Sequence, residues 1–173
     1  MKRIVAVAVA VPVMLVLGMG SALAAGGRTS VESFPVSFVL TSATCSNLAT
    51  GTTITGSGTE TSITTTKTDR NGVTTIINAT HAHGTAADQD GNGYVFDYSN
   101  EFRASNTVAE PDLLSGLMTD HFSLSGNGPA KLNNGFVANF TARSDFSSFS
   151  AQPISSYGDP IGFPDGTAHC DPL

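Results

Sequence analysis

The stretch from Tyr94 to Ala104, YVFDYSNEFRA, decides the predicted fold. The large aromatic side chains of this stretch all lie at even positions, and residues such as Asp97 and Ser99 alternate with them. Alternation with a period of two is typical of a β-strand that buries one of its faces. We therefore expect a strand whose apolar row faces a core, formed by Tyr94, Phe96, Tyr98 and Phe102.

Other segments on both sides of this stretch show similar alternation and are bounded by Gly, Asn, Asp and Ser, which is typical of strands joined by turns. Each is predicted to present one row of side chains on a single face. These strands and rows are Ser33 to Thr41 with Phe34, Val36, Phe38 and Leu40; Val73 to Thr85 with Val73, Ile77 and Ala79; Leu117 to Ser125 with Met118, Phe122 and Leu124; and Lys131 to Arg143 with Phe136, Ala138 and Phe140.

The remaining segments have weaker patterns. The Thr-rich region from Thr50 to Lys67 predicts two strands broken at Gly56-Ser57-Gly58, because threonine suits a pleated strand that is partly exposed. Asp112-Leu113-Leu114 predicts a short helical turn. The chain from Asp145 onward is predicted to be irregular, with a last short strand at Pro160-Ile161-Gly162-Phe163.

These patterns predict an all-β fold of seven or eight strands. Most of the strands are joined by tight turns, such as Asp69-Arg70-Asn71-Gly72, so strands adjacent in sequence should pair as an antiparallel meander. We expect the meander to close as a small β-barrel, because closure removes exposed sheet edges. A β-sandwich is the alternative.

The first residues of the chain predict export. A positive start, Met1-Lys2-Arg3, precedes an uncharged apolar run from Ile4 to Leu17 and a small-residue stretch that ends in Ala24-Ala25. This pattern is typical of a secretory signal peptide, and the run is too short for a spanning helix. We expect residues 1–24 to be removed, leaving one secreted domain of residues 25–173 with no membrane anchor.

The charge balance excludes some partners. Removal of Lys2 and Arg3 leaves six Lys and Arg against 14 Asp and Glu, a net charge of −8. An acidic surface repels phosphate groups, so nucleic acid is not expected as a partner. The sequence indicates no cofactor, and it leaves the oligomeric state open.

The two cysteines, Cys45 and Cys170, predict one disulfide. Lone cysteine pairs of exported proteins are oxidised more often than they are free. A metal site or a catalytic thiol is the alternative, but neither has a supporting motif here. We expect a structural Cys45–Cys170 bond between the start and the end of the mature chain.

Two polar clusters are candidate sites. Asp88, Asp90 and Asn92 match the first half of a calcium loop, although Ser99 stands where such a loop carries a Glu, and an ordinary turn explains the same residues. His81 and His83 lie two apart on a predicted strand, and Asp120 has the inward parity of Met118 and Phe122. If strand order brought the three together, they could hold a metal or act as a general base; solvent-exposed histidines are the alternative.

Four segments resemble a group of small exported proteins of actinobacteria that carry no assigned activity, a resemblance that implies secretion and a single domain. The size and strand content are also similar to those of the dirigent and allene-oxide-cyclase barrels, at the level of architecture only. Lipocalins are a poorer match, because their Gly-x-Trp motif needs a tryptophan and this chain has none. The four segments are TDRNGVT (68–74), HAHGTAADQDGNGYVFDYSNEFRASNT (81–107), DHFSLSGNGPAKLNNGF (120–136) and AHCDPL (168–173).

Three functional hypotheses follow. The first is a non-enzymatic barrel that binds a small, partly apolar ligand, although the same rings could simply fill the interior. The second is a cyclase or isomerase type of enzyme that uses His81, His83 and Asp120 at the barrel mouth. The third is a cell-surface or matrix interaction protein with a polar Thr-rich face. The aromatic row of the first hypothesis is Tyr94, Phe96, Tyr98 and Phe102, facing Phe136 and Phe140.

Overall fold

A computed structural model describes residues 27–43, 45–145 and 147–158 of the chain. These residues form seven β-strands and no helix. In this part of the chain no helix is long and apolar enough to cross a membrane. The strands are β1 (Gly27–Thr41), β2 (Thr53–Thr68), β3 (Thr74–Asp88), β4 (Gly93–Ser105), β5 (Leu113–Gly126), β6 (Leu132–Arg143) and β7 (Phe149–Tyr157).

The seven strands form one antiparallel sheet in the order of the sequence, from β1 to β7. Short turns favour this order, because each strand pairs with the one that follows it. At the turn after β2, Asp69 Oδ1 accepts hydrogen bonds from the amides of Asn71 and Val73, and Gly72 has a φ of 85°. The all-β class and the antiparallel meander are therefore confirmed. No ladder joins β1 to β7 in the described strands, so closure of the barrel is unconfirmed.

The sheet is strongly curved. Phe38 of β1 and Phe122 of β5 have ring centroids only 5.9 Å apart, although three strands lie between theirs. In a flat sheet four strand spacings of about 4.8 Å would separate them by about 19 Å. The sheet therefore rolls around a concave inner face.

The inner face carries the even-numbered residues of β1 to β6 from Phe34 onward. The predicted inward rows of β1, β4, β5 and β6 are thus confirmed. Their side chains divide into two apolar clusters. The upper cluster includes Phe38, Leu40, Tyr94, Phe96, Tyr98, Phe122 and Leu124, and the lower one includes Ile76, Leu114, Phe136, Phe140 and Ala151, with Phe102 and Met118 packed against it.

The inner face of β3 differs from the row proposed for it. Ile77 and the two histidines that share its parity point outward, and the core residues of this strand are Ile76, Ala82 and Ala86. The reason is steric, since the large rings of the neighbouring β4 need small side chains beside them. The ring of Phe96 lies where a side chain at Gly84 would stand.

Three predictions about strand boundaries are wrong. β2 is continuous through Gly56-Ser57-Gly58, because Gly56 pairs with Phe38 and leaves room for its ring. Leu113 begins β5 instead of forming a helical turn, and it pairs with Arg143. The chain after position 148 is also not irregular, because β7 pairs with β6.

Several predictions lie outside the described residues and stay predictions. They are the signal peptide of residues 1–24, the last short strand at positions 160–163, and the partner cysteine at position 170. Cys45 itself is described, and its side chain is completely buried in the upper cluster. That burial is compatible with a structural disulfide.

Candidate functional site

A band of polar side chains separates the two apolar clusters on the inner face. One row of this band crosses four neighbouring strands, where Ser62 pairs with Thr80, Thr80 with Asn100, and Asn100 with Asp120. We call these four residues, with Thr64 and Asn78, the polar band. Its presence between two apolar clusters is what distinguishes this region from an ordinary core.

Most of the polar band is internally hydrogen-bonded on β2 and β3. Asn78 Nδ2 donates to Ser62 Oγ at 2.9 Å and to Thr64 Oγ1 at 2.8 Å. Thr80 Oγ1 donates to Asn78 Oδ1 at 3.0 Å. These partners satisfy the half-buried hydroxyls and the amide, which agrees with the general rule that polar groups removed from water are paired.

Asp120 is the exception within the polar band. Its Oδ2 accepts hydrogen bonds from Tyr98 OH and from Asn100 Nδ2, both at 2.9 Å. Its side chain is only 7 % exposed, and Oδ1 is shielded from solvent with no hydrogen-bond donor among the described residues. A buried acceptor without a donor costs about 1–3 kcal/mol, and more for a charged group. Among the described residues, this oxygen is the buried side-chain acceptor of the inner face that has no donor.

The strand register explains where Asp120 lies. It shares inward parity with Met118 and Phe122 on β5, as the sequence predicted, and it pairs with Asn100 of β4. Tyr98 lies one inward position further along β4 and reaches Asp120 diagonally. The inward orientation was visible in the sequence, but the two donors depend on the register of β4 against β5.

A half-buried apolar surface adjoins Asp120. Phe102 and Met118 pair across β4 and β5 in the next inward row, and both retain exposed surface. The Phe102 ring meets Phe140 edge to face, with centroids 5.7 Å apart. Phe140 in turn stacks on Phe149, which is 49 % exposed. Asp120 therefore stands beside an apolar surface that is only partly covered.

Glu60 is a further carboxyl group on the inner face, and the sequence reasoning missed it. It lies at an inward position of β2, paired with Phe34 and Ala82, and burial raises its pKa above the ordinary value. The signal was its even position in a Thr-rich strand, but the predicted break at Gly56-Ser57-Gly58 hid the parity. Together with Asp88 and Asp120, Glu60 makes three carboxyl groups on the inner face of the described strands.

The six aromatic residues proposed as ligand contacts all lie at inward positions, but most are fully packed. The ring centroids of Phe38 and Phe96 are 4.9 Å apart in an edge-to-face contact, so the upper rings fill the interior. Five of the six are buried, namely Tyr94, Phe96, Tyr98, Phe136 and Phe140. Only Phe102 among them is half-buried and available for a further contact.

The proposed cluster of His81, His83 and Asp120 is not formed. Both histidines lie at odd positions of β3 and are exposed on the outer face, whereas Asp120 is on the inner face. His81 Nε2 instead contacts Asp97 Oδ2 at 2.9 Å, and the two imidazole rings lie 5.5 Å apart. Alternation along a strand excludes the predicted juxtaposition. The described residues include no group of three or more His, Cys, Asp or Glu suited to a metal ion.

The Asp88 loop is built as a turn. Asp88 Oδ1 accepts hydrogen bonds from the amides of Asp90 and Asn92, and Oδ2 accepts from Asn92 Nδ2 and Tyr94 OH. Gly91 supplies a φ of 83°. The Asn92 side chain is the main reason why the pKa of Asp88 is below its ordinary value, while burial and this carboxylate raise the pKa of Tyr94. Because its lone pairs are used internally, Asp88 fits a structural role better than a calcium ligand.

A surface depression near Tyr94, Val95 and Lys131 is less suitable as a binding site. It has a volume of about 600 Å³ and is widely open to solvent. Small-molecule sites are usually concave and bury most of the ligand. The inner face around Asp120, Phe102 and Met118 is therefore the better candidate.

Comparison with known protein families finds no match, and neither the characterised proteins nor the solved structures include a significant relative.

Proposed function

We propose that this is an exported, non-enzymatic protein that binds a small, partly apolar molecule on the concave face of its sheet. The observation that carries the proposal is the half-buried pair of Phe102 and Met118 directly beside the buried Asp120. Apolar surface with a few converging polar groups is the usual composition of a small-molecule site.

The curvature of the sheet supports this location. The short distance between the rings of Phe38 and Phe122 indicates that the sheet curves around its inner face. We propose that this curved sheet closes as a small barrel. The upper cluster fills one part of the interior with interlocking rings. The ligand would therefore occupy the lower part, against Phe102 and Met118, where the packing is less complete.

Met118 provides a direct test. It is the only methionine after position 19, so a protein of residues 25–173 labelled with ¹³C at the methionine methyl gives one signal from this site. The protein should be purified from the organism that makes it, examined by native mass spectrometry, and then extracted with organic solvent. We expect a co-purifying small molecule that shifts the Met118 methyl resonance when it is returned to the extracted, labelled protein.

Neighbouring residues on opposite faces provide the control. Met118→Ala should weaken rebinding of the extracted molecule, whereas Leu117→Ala should not, because Leu117 is 45 % exposed on the outer face. The proposal fails if repeated preparations hold no small molecule, or if rebinding is equally sensitive to both substitutions.

A surface-interaction role is the second candidate, and one observation favours it. Val31 and Ile63 pair on the outer face of β1 and β2 with exposed fractions of 64 % and 43 %. Hydroxyl pairs flank them on the same face, with Thr29 and Thr65 3.0 Å apart. Retention by cell-wall material that is lost in Val31→Ser and kept in Met118→Ala would support this role, and no retention would oppose it.

We do not extend the proposal to the enzymatic alternative. It required His81 and His83 to act with Asp120 at one mouth of a barrel, and the sheet separates them. No step of a reaction is therefore proposed for these residues.

A further inference from the structure

We infer that the ligand carries a positively charged amine, and that this ammonium group pairs with Asp120 on the inner face. The inference rests on the proposed function and adds the chemical class of the ligand. It begins from Asp120 Oδ1, which is buried and has no donor among the described residues.

The two side-chain donors that contact Asp120 both bind its other oxygen, Oδ2. Tyr98 OH and Asn100 Nδ2 both donate to Oδ2 at 2.9 Å. These two contacts hold the carboxylate in one orientation and leave Oδ1 as a preoriented acceptor. A carboxylate oxygen accepts hydrogen bonds, so a ligand group that pairs with Oδ1 must be a donor.

Among the described residues, no Lys or Arg forms an ion pair with Asp120, and Arg28, at an even position of β1, is exposed and pairs with Thr66. In the described strands β2 to β6, Lys67, Arg103 and Arg143 occupy odd, outward positions, and no Lys or Arg stands at an inward position. Glu60 faces the same interior, and burial raises the pKa of its carboxyl group above the ordinary value. Because buried charges are normally paired, an ammonium group suits this interior better than a neutral hydroxyl, and an anion is disfavoured.

The adjoining apolar surface suits the rest of such a ligand. Met118 lies two residues from Asp120 on the same face of β5, a separation of about 7 Å along the strand. Phe102 pairs with Met118, and it lies two residues from Asn100 on β4, just as Met118 lies two residues from Asp120 on β5. A short aryl-alkyl amine can therefore place its ammonium at Asp120 and its ring on Phe102.

Access to Oδ1 requires a small rearrangement. Since the oxygen is shielded from solvent, the side chains that cover it must change rotamer before an ammonium can reach it. Met118 is half-buried and unbranched, which makes it well suited to such a change. The methyl signal of Met118 should therefore respond strongly to binding.

Three probes of similar shape test the inference on the unmodified protein. They are 2-phenylethylamine, 2-phenylethanol and 3-phenylpropanoate, titrated at about pH 7, where the amine is charged and the acid is ionised. The observable is the Met118 methyl resonance. We expect the amine to bind about tenfold or more tightly than the alcohol, and the acid to bind least, because only the amine adds a positive charge to its hydrogen bond with the carboxylate.

Two charge-removing variants complete the test. Asp120→Asn should abolish the preference for the amine over the alcohol, while Asp97→Asn removes the same charge from the exposed outer face and should leave it unchanged. Near-UV circular dichroism shows whether Asp120→Asn remains folded. If the variant is unfolded, the relative affinities of the three probes for the unmodified protein still test the inference.

The outcomes separate this inference from the proposed function. Equal binding of amine and alcohol, or tighter binding of the acid, overturns the inference and leaves the small-molecule site at Met118 standing. Failure of all three probes to shift the Met118 resonance counts against both.

Discussion

The ring of Phe38 occupies the space that a side chain at Gly56 would need. The two residues pair across β1 and β2, and a β-carbon built at Gly56 would overlap the far edge of the ring. Because Gly56 has no side chain, the Phe38 ring can lie over β2, and it also reaches Phe96 and Phe122. The packing of the concave face around Phe38 thus requires a glycine at position 56.

Gly56→Ala is expected to lower the free energy of unfolding by about 1–3 kcal/mol, because overpacking forces a buried ring to move. Urea denaturation followed by the fluorescence of tyrosine measures the change. Gly93→Ala is the matched control, since a β-carbon there meets no atom within 4 Å. Equal effects of the two substitutions would contradict the role assigned to Gly56.

Tyr98→Phe is expected to lower the free energy of unfolding by about 1.5–3 kcal/mol. The substitution removes a hydrogen bond to a buried carboxylate and leaves Asn100 as the remaining donor to Oδ2. Tyr157→Phe serves as the control, because Tyr157 is 50 % exposed. A variant as stable as the parent protein would mean that the hydrogen bond from Tyr98 to Asp120 does not stabilise the fold.

The stability of the protein should fall in acid partly through Asp88. Hydrogen bonds from the Asn92 side chain, and from other groups of the turn, hold the pKa of this carboxyl group below its ordinary value in the folded state. The unfolded state therefore binds the proton more readily. The contribution of Asp88 is fully present above the unfolded pKa of about 3.9 and is lost as the pH falls through the folded pKa.

Asp88→Asn should remove that part of the pH dependence. We expect unfolding free energies measured from about pH 6 downward to fall less steeply in the variant than in the parent protein. Asp90→Asn should keep the parental slope, because Asp90 is exposed in the same turn. Parallel slopes in parent and Asp88→Asn would be evidence against this assignment.

The Cys45–Cys170 bond is the fourth prediction. Cys45 is fully buried, and a bond to position 170 would close a loop of about 125 residues, worth up to about 5 kcal/mol in the chain-entropy model. Intact-mass analysis should show no alkylation by iodoacetamide until the unfolded protein is reduced. Alkylation of the unfolded, unreduced protein at two sites would disprove the bond, and Cys45→Ser with Cys170→Ser should unfold at lower urea.

The strands with large side chains could be predicted from the sequence, and those with small ones could not. The rows of Phe38 and of Tyr94 were assigned correctly, because an aromatic or branched residue at every second position has one plausible buried face. The same reasoning assigned the wrong inner face to β3. Ile77 is the larger apolar residue, but Ala82 and Ala86 are the buried ones. Small residues are buried there because the rings of the next strand fill the space.

The functional residues show the same division. The inward parity of Asp120 was evident, but the histidines proposed beside it lie on the other face, and Glu60 was overlooked. Hydrophobic alternation does not say which strand supplies the large rings and which supplies the space for them. The residues that meet on the inner face therefore could not be identified from the sequence alone.

The sequence by itself determined the all-β class, the meander and the inward rows of four strands, because alternation and turn residues act over a few positions. Only the tertiary structure decided that the ring of Phe38 on β1 reaches Phe122 on β5, that the histidines face outward, and that Asp120 has one oxygen with two donors and another with none. Those features arise from register and curvature, which depend on packing between strands distant in the chain.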